Sequence, residues 1–263
     1  MSGVSKAEHA HIVVEDIDDA LEFYTDVMGM LEMTRDDGVV YLMCGTDNNY
    51  DLAVEEGNEA SLGHVAVRVD TLEDLNDYET RLEDRGANFT RINKEEPNVE
   101  VGLRFNLPSG ITFEAVLVGD NSYRRKADTA RVDRRAGAPL DLHHIGLMPS
   151  DLKSDLEFLQ EILDFKISDV GLVNNDEWNL GFTRYGDLHH DFSHIQDDDP
   201  DETLHHIAWE MTDVGHLVSL VDRVTNYGPK LETPISRHTL GDNIATYFRG
   251  PSNVRFELET QMS

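Results

Sequence analysis

The chain has 263 residues, enough for a sizeable core and for two domains, and 39% of them are hydrophobic. Its 52 Asp and Glu against 22 Lys and Arg leave a formal net charge of −30, a field that repels phosphate backbones and anionic lipid and so disfavours nucleic acid or a membrane surface as partner. Apolar runs of such regular spacing also exclude a disordered acidic chain.

In chain order, the first recurring phrase is His11-Ile-Val-Val-Glu-Asp16, an apolar run opening on His and closing on acidic turn residues. An amphipathic stretch follows from Asp18 to Met30, and Gly29 stands where its helix should stop. Cys44, after Tyr41-Leu-Met in an expected strand, is the only cysteine; it rules out an internal disulfide and reads as a buried apolar thiol. The phrase returns as His64-Val-Ala-Val-Arg-Val-Asp70, with a helix expected over Leu72–Leu82 and a stop at Gly86, and this half closes on Pro108-Ser-Gly-Ile-Thr-Phe-Glu114. Residues 119–140 lack an apolar period and carry the basic cluster, so they read as a connector, either docked on an acidic neighbouring surface or solvated.

The second half repeats the scheme. His144-Ile-Gly-Leu-Met opens it as a short strand, and apolar residues at 156, 158, 159, 162 and 163 form a helical stripe. Ile167–Val170, Asn179–Tyr185 and His190–Ile195 then read as three extended segments separated by Asn, Asp and Gly. The last unit begins at His206-Ile-Ala-Trp-Glu-Met-Thr-Asp213, continues as a helix over Val214–Val224 with Gly228 at its end, and closes on Pro251-Ser-Asn-Val-Arg-Phe-Glu257. One βαβββ unit written four times predicts an α+β protein of four modules paired into two domains, each a curled mixed sheet around a cavity. The expected boundaries are 1–118, a linker at 119–140, and 141–263. The N-terminus shows no apolar signal segment and no run is long enough to span a membrane. The expected location is cytoplasmic, and the evenly spread acid matches proteins of salt-loving cytoplasms.

The repeats also carry a chemistry. If His144 and His206 open equivalent strands and Glu257 lies on the last, two imidazoles and one carboxylate share a face and leave three octahedral positions free, as in non-haem Fe(II) sites; Zn²⁺ accepts the same donors. His190, His238 and Tyr247 fall between these residues, and titratable groups around an open metal are what proton-coupled chemistry needs.

The segments Leu142-His-His-Ile-Gly-Leu, His189-His-Asp-Phe-Ser, Leu204-His-His-Ile-Ala, Arg237-His-Thr-Leu and Ala245-Thr-Tyr-Phe-Arg-Gly-Pro-Ser-Asn-Val-Arg-Phe-Glu257 resemble the type I extradiol ring-cleavage dioxygenases of the vicinal oxygen chelate superfamily, the catechol 2,3-dioxygenases among them. The likeness runs through the first half as well, at Tyr24-Thr-Asp-Val-Met-Gly-Met-Leu-Glu-Met-Thr-Arg-Asp-Asp and Val40-Tyr-Leu.

The resemblance implies His144, His206 and Glu257 as ligands of Fe(II), with Mn(II) accepted by the same donors, and His190 as the distal acid/base. It implies His238 and Tyr247 as the pair that hydrogen-bonds the substrate's hydroxyl oxygens. A catechol and O₂ would be the substrates, the product a yellow ring-opened semialdehyde, and the protein a homo-oligomer. In the first half His11, His64 and Glu114 stand at the repeat-equivalent ligand positions, but Arg104 replaces Tyr247 and Glu95 replaces His238, which implies a vestigial or structural site. Two alternatives remain. A glyoxalase-like isomerase or lyase would need a fourth protein ligand; a small-molecule-binding resistance protein would not need His190, His238 and Tyr247.

Overall fold

The computed structural model describes residues 3–120, 122, 137–174, 176–199 and 202–263. The expected docking of the basic connector falls mostly on 121 and 123–136, outside the described residues. The first module is β1 (Val4–Val14), α1 (Ile17–Glu22, continued by a π-helical turn Phe23–Val27), β2 (Leu31–Asp36), β3 (Val39–Met43) and β4 (Leu52–Glu56). The second is β5 (Ser61–Val69), α2 (Leu72–Arg85), β6 (Phe89–Ile92), β7 (Val99–Asn106) and β8 (Thr112–Val118). The third is β9 (Leu142–Leu147), α3 (Leu152–Leu163), β10 (Lys166–Val173), β11 (Glu177–Arg184) and β12 (Phe192–Ile195). The fourth is β13 (Leu204–Glu210), α4 (Val214–Tyr227), β14 (Ser236–Arg237), β15 (Ile244–Arg249) and β16 (Arg255–Thr260).

Each half is an open, mixed eight-stranded sheet, and the two orders match: β2-β3-β4-β1-β5-β8-β7-β6 and β10-β11-β12-β9-β13-β16-β15-β14. The first strand of every module therefore lies at the centre of its sheet. The four βαβββ modules expected from the repeats are all present.

Local chemistry explains the common plan. Each of α1 to α4 starts on a side-chain cap: Asp16, Thr71, Asp151 and Asp213 each accept a hydrogen bond from the amide three residues on, satisfying one of the orphan amides of the first turn. α2 stops at Gly86, whose φ of 71° suits a residue without a Cβ. α3 stops at Asp164 in the same left-handed region, and β10 then runs over Lys166–Val173, longer than the extended segment expected over Ile167–Val170. β12 likewise begins at Phe192, which leaves His190 in the preceding loop rather than in a strand.

By packing, the chain forms two compact units, one of 1–8, 63–119 and 144–205, the other of 9–62, 120–143 and 206–263. In the first unit Phe105 packs on Phe158 of α3, Phe113 packs on Phe192, and both Ser109 N–H (2.8 Å) and Ser109 Oγ–H (2.6 Å) donate to the buried carboxylate of Asp155. In the second, Phe23 of the π-turn packs on Phe248 and Phe256. Among the described residues no helix is long and apolar enough to cross a membrane.

Candidate metal centre and its surroundings

In the second half β9, β13 and β16 carry His144, His206 and Glu257, all three buried. Each offers a ligand atom, and these atoms lie within 4.8 Å of one another. Nε2 of His206 is 3.1 Å from Oε2 of Glu257. Two imidazoles and a carboxylate fit Fe(II), Mn(II) or Zn(II), which take nitrogen and oxygen donors at about 2.0–2.2 Å. Among the described residues no fourth His, Cys, Asp or Glu joins this group, so the protein donors leave coordination positions for other ligands.

The other three sequence-derived residues border the same group. On β15 Tyr247 pairs across the ladder with Glu257, its ring meets His206 edge-on at 5.5 Å, and it stacks on His238 at 5.7 Å. Nδ1 of His238 is 3.7 Å from Oε1 of Glu257, and Asn243 Nδ2 donates to the same oxygen at 3.3 Å. Burial, then the neighbouring Glu257 charge, pushes the Tyr247 phenol far above its ordinary pKa, because both oppose a phenolate. The Arg255 guanidinium covers the tyrosine ring at 4.3 Å. His190 meets His144 edge-on at 4.5 Å and packs on Phe182 at 4.8 Å.

Sequence reasoning missed the groups one step out. Glu259, two residues beyond Glu257, is buried and lies 3.3 Å from Nε2 of His143. Burial, with the charges of Glu257 and Glu210, pushes its carboxyl up to about 8. The first half fills the slot of His143 and Glu210 with Glu8 and Arg68, a buried bidentate ion pair at 2.6 and 2.9 Å.

The first half also requires a correction. The converging donors are His9, His64, Glu96 and Glu114, within 4.8 Å of one another, so His9 and not His11 is the counterpart of His144. His11 lies two residues further along β1, with Nε2 3.4 Å from Glu55. The helix caps reveal the right count: each module's histidine stands seven residues ahead of its cap, at 9 and 16, 64 and 71, 144 and 151, 206 and 213. Arg104 does pair across from Glu114 as Tyr247 does from Glu257. Its Nε donates to Glu114 and its Nη2 to Glu96 at 3.2 Å, so a tethered cation sits among the carboxylates. Glu95, at the sequence position of His238, reaches only the outer edge of that guanidinium (3.7 Å), while Glu96 is the residue beside His64 (3.4 Å).

The sequence matches the family model of the Glyoxalase/Bleomycin resistance protein/Dioxygenase superfamily over residues 6–115 and again over 141–258. It is 23% identical over 269 residues to a manganese-dependent 2,3-dihydroxybiphenyl 1,2-dioxygenase of Geobacillus genomosp. 3, covering 97% of this chain and 84% of that one. It is 25% identical over 277 residues to a metapyrocatechase of Pseudomonas sp. (strain CF600), covering 97% and 86%. The fold is shared with the crystal structure of the 2,3-dioxygenase LapB from Pseudomonas sp. KL28, at a TM-score of 0.88 and 21% identity over 100% of this chain and 94% of that one. It is shared equally with a Mn(II)-bound glyoxalase from Novosphingobium aromaticivorans, at 0.87 and 23% over 100% and 84%.

Proposed function

We infer that this chain, which belongs to the Glyoxalase/Bleomycin resistance protein/Dioxygenase superfamily, is an extradiol dioxygenase that opens a catechol-type ring beside its two hydroxyls with O₂. The reading assigns His144, His206 and Glu257 as ligands of one divalent ion, Fe(II) or Mn(II), in a catalytic half spanning 141–263. The half spanning 1–118 is assigned a structural role. A relative of this chain carries manganese dependence in its name, and the donor set accepts either metal, selection resting on surrounding groups and supply. The ion would hold the diol and O₂ as neighbouring ligands and let electrons pass from ring to oxygen.

The protein's own residues would do the rest. His190, edge-on to His144, exchanges a proton with the reacting groups. Tyr247, kept as a neutral phenol, donates a hydrogen bond to a substrate oxygen, and His238, stacked on it at 5.7 Å, orients that pair. Both sets act where charge develops during reaction, which is where a fixed donor lowers the barrier.

The observation that carries the reading is the contrast between halves. Both halves bring His and Glu donors together, yet only the second surrounds them with His190, His238 and Tyr247. The first has Tyr50, hydrogen-bonded through its hydroxyl to His9 at 3.0 Å, and Arg104 at the corresponding places. A protein that only sequesters a small molecule has no use for such an asymmetric set; a glyoxalase-like reading lacks a fourth ligand in the second half among the described residues, and in the first, where four donors converge, Arg104 pairs with both carboxylates. The test is anaerobic reconstitution with Fe(II) or Mn(II) in high salt, then admission of air with a panel of mono- and bicyclic catechols. O₂ uptake with a yellow product is expected; metal-loaded protein that leaves every diol unoxidised overturns the assignment.

A further inference from the structure

His190 is not the end of its hydrogen-bond chain. Its Nδ1 lies 2.9 Å from Nδ1 of His189, and Nε2 of His189 lies 2.8 Å from Oδ2 of Asp169. Exposure grades outward along this chain, from buried His190 through His189 (16%) to Asp169 (51%). Both imidazoles pack on Phe182, at 4.8 and 5.2 Å.

The backbone feature that delivers Asp169 is a break in the β10–β11 register. Ile167 pairs with Thr183 and Asp169 with Phe182, so Ser168 is the extra residue, and such a bulge re-aims the side chain beside it. The first half has the same break, with Glu32 opposite Leu42 and Thr34 opposite Tyr41. There the corresponding residues are Thr34, Asn49 and Tyr50, with Tyr50 packed on Tyr41 at 4.8 Å as His190 is on Phe182. Asn49 Nδ2 donates instead to the Asp120 carbonyl. The bulge and the aromatic platform therefore belong to the scaffold. The Asp-His-His sequence of groups belongs to the second half alone, and the fold does not require it.

Resting on the reading of His190 as the acid/base of the site, we propose that Asp169 and His189 are positioning residues that set the tautomer of His190 and link it to solvent. An ionised carboxylate only accepts, so Nε2–H of His189 donates to it; Nδ1 of a neutral His189 is then an acceptor and takes Nδ1–H of His190. His190 is left with a lone pair on Nε2, ready to receive a proton. When that Nε2 takes the proton a substrate hydroxyl gives up, Nδ1–H of His190 passes to Nδ1 of His189, whose positive charge the Asp169 carboxylate balances, and His190 becomes a neutral ring with Nε2–H as donor. One proton taken from the substrate thus converts the inner histidine from base to acid: it enters at Nε2, another leaves at Nδ1 and is held on His189 beside Asp169, and its return as His190 gives up Nε2–H to the product restores the resting tautomers.

The test is long-range ¹H–¹⁵N correlation on ¹⁵N-histidine protein loaded with diamagnetic Zn(II), together with rates on Fe(II)- or Mn(II)-loaded enzyme. Wild type is expected to show His189 as the Nε2–H and His190 as the Nδ1–H tautomer at neutral pH, and D169A to lose that preference at His190. In the active enzyme kcat should fall by about 10–100-fold in D169A and H189Q, inside the range a positioned acid/base supplies. KM and metal content should hold, with partial recovery in D169E. A His190 that is Nε2–H in wild type, or that keeps its tautomer in D169A, overturns the proposal whatever the rates. The expected tautomers with no O₂ uptake from any catechol would uphold the relay and overturn the dioxygenase reading.

Discussion

Asp155 offers a sharp test of the packing described above. Its carboxylate is fully buried in the first turn of α3. Loss of solvation pushes its pKa up, the two hydrogen bonds from Ser109 pull it down, and the balance lies at about 6 against an ordinary 3.8. Because the folded value is the raised one, the native chain holds this proton to higher pH than the unfolded chain does. The stabilisation is complete below the unfolded value and is lost as pH rises through about 6. A gap of about two pKa units corresponds to roughly 3 kcal/mol lost by pH 7, about half of it already by pH 5. Asp155→Asn keeps the shape and can still accept from Ser109 N–H, but it never ionises. Guanidinium denaturation of both proteins between pH 4.5 and 7.5 should show the variant gaining on the wild type by roughly 1–2 kcal/mol as pH rises from 5 to 7. Subtracting one curve from the other removes every other titrating group. A difference that is flat with pH, or that runs in the opposite direction, refutes the assignment of Asp155 as a desolvated carboxyl.

Metal analysis after loading with Mn(II) or Fe(II) should give one equivalent per chain, lost in His206→Ala and kept in His64→Ala; two equivalents, with one lost in His64→Ala, would contradict Arg104 as the cation of the first cluster. His190→Ala and Tyr247→Phe should each cost about 10²–10⁴-fold in turnover with catechols while the metal stays bound, as inductively coupled plasma analysis of the same samples would record. Arg68→Met strands the buried Glu8 carboxylate and should cost about 3–5 kcal/mol in chemical denaturation, far more than an exposed ion pair such as Arg35–Glu32 would.

The modular plan was readable because its signals are local. A histidine, a period-two apolar run, a capping Asp or Thr and an amphipathic stripe recur with little interruption, and a central strand followed by a capped helix is what such text encodes. The second-half group was readable for a related reason, since Glu257 sits in a closing phrase that Glu114 repeats almost word for word. The choice of His11 over His9 failed because alternate residues of a strand share a face, so apolar patterning alone cannot separate them. β1 also begins at Val4, earlier than its composition suggests: Lys6 and Glu8 look like surface residues, yet both are buried and Glu8 is paired with Arg68, sixty positions away. The Asp169–His189 link was hidden more deeply. It spans twenty residues and depends on one unpaired serine in a ladder, and no periodicity announces either.

Arg104 makes the two halves unlike in how they tolerate scarcity. A guanidinium fixed to the backbone cannot dissociate, so Glu96 and Glu114 keep their counter-charge in every medium. On the proposed reading a divalent ion held by His144, His206 and Glu257 would be exchangeable, and a chelator or a metal-poor cell would strip it from that half alone. The same duplicated scaffold would thus carry one permanent and one removable rivet, and starvation for metal should loosen the sheet that contains β9, β13 and β16 while its twin stays closed to hydrogen exchange.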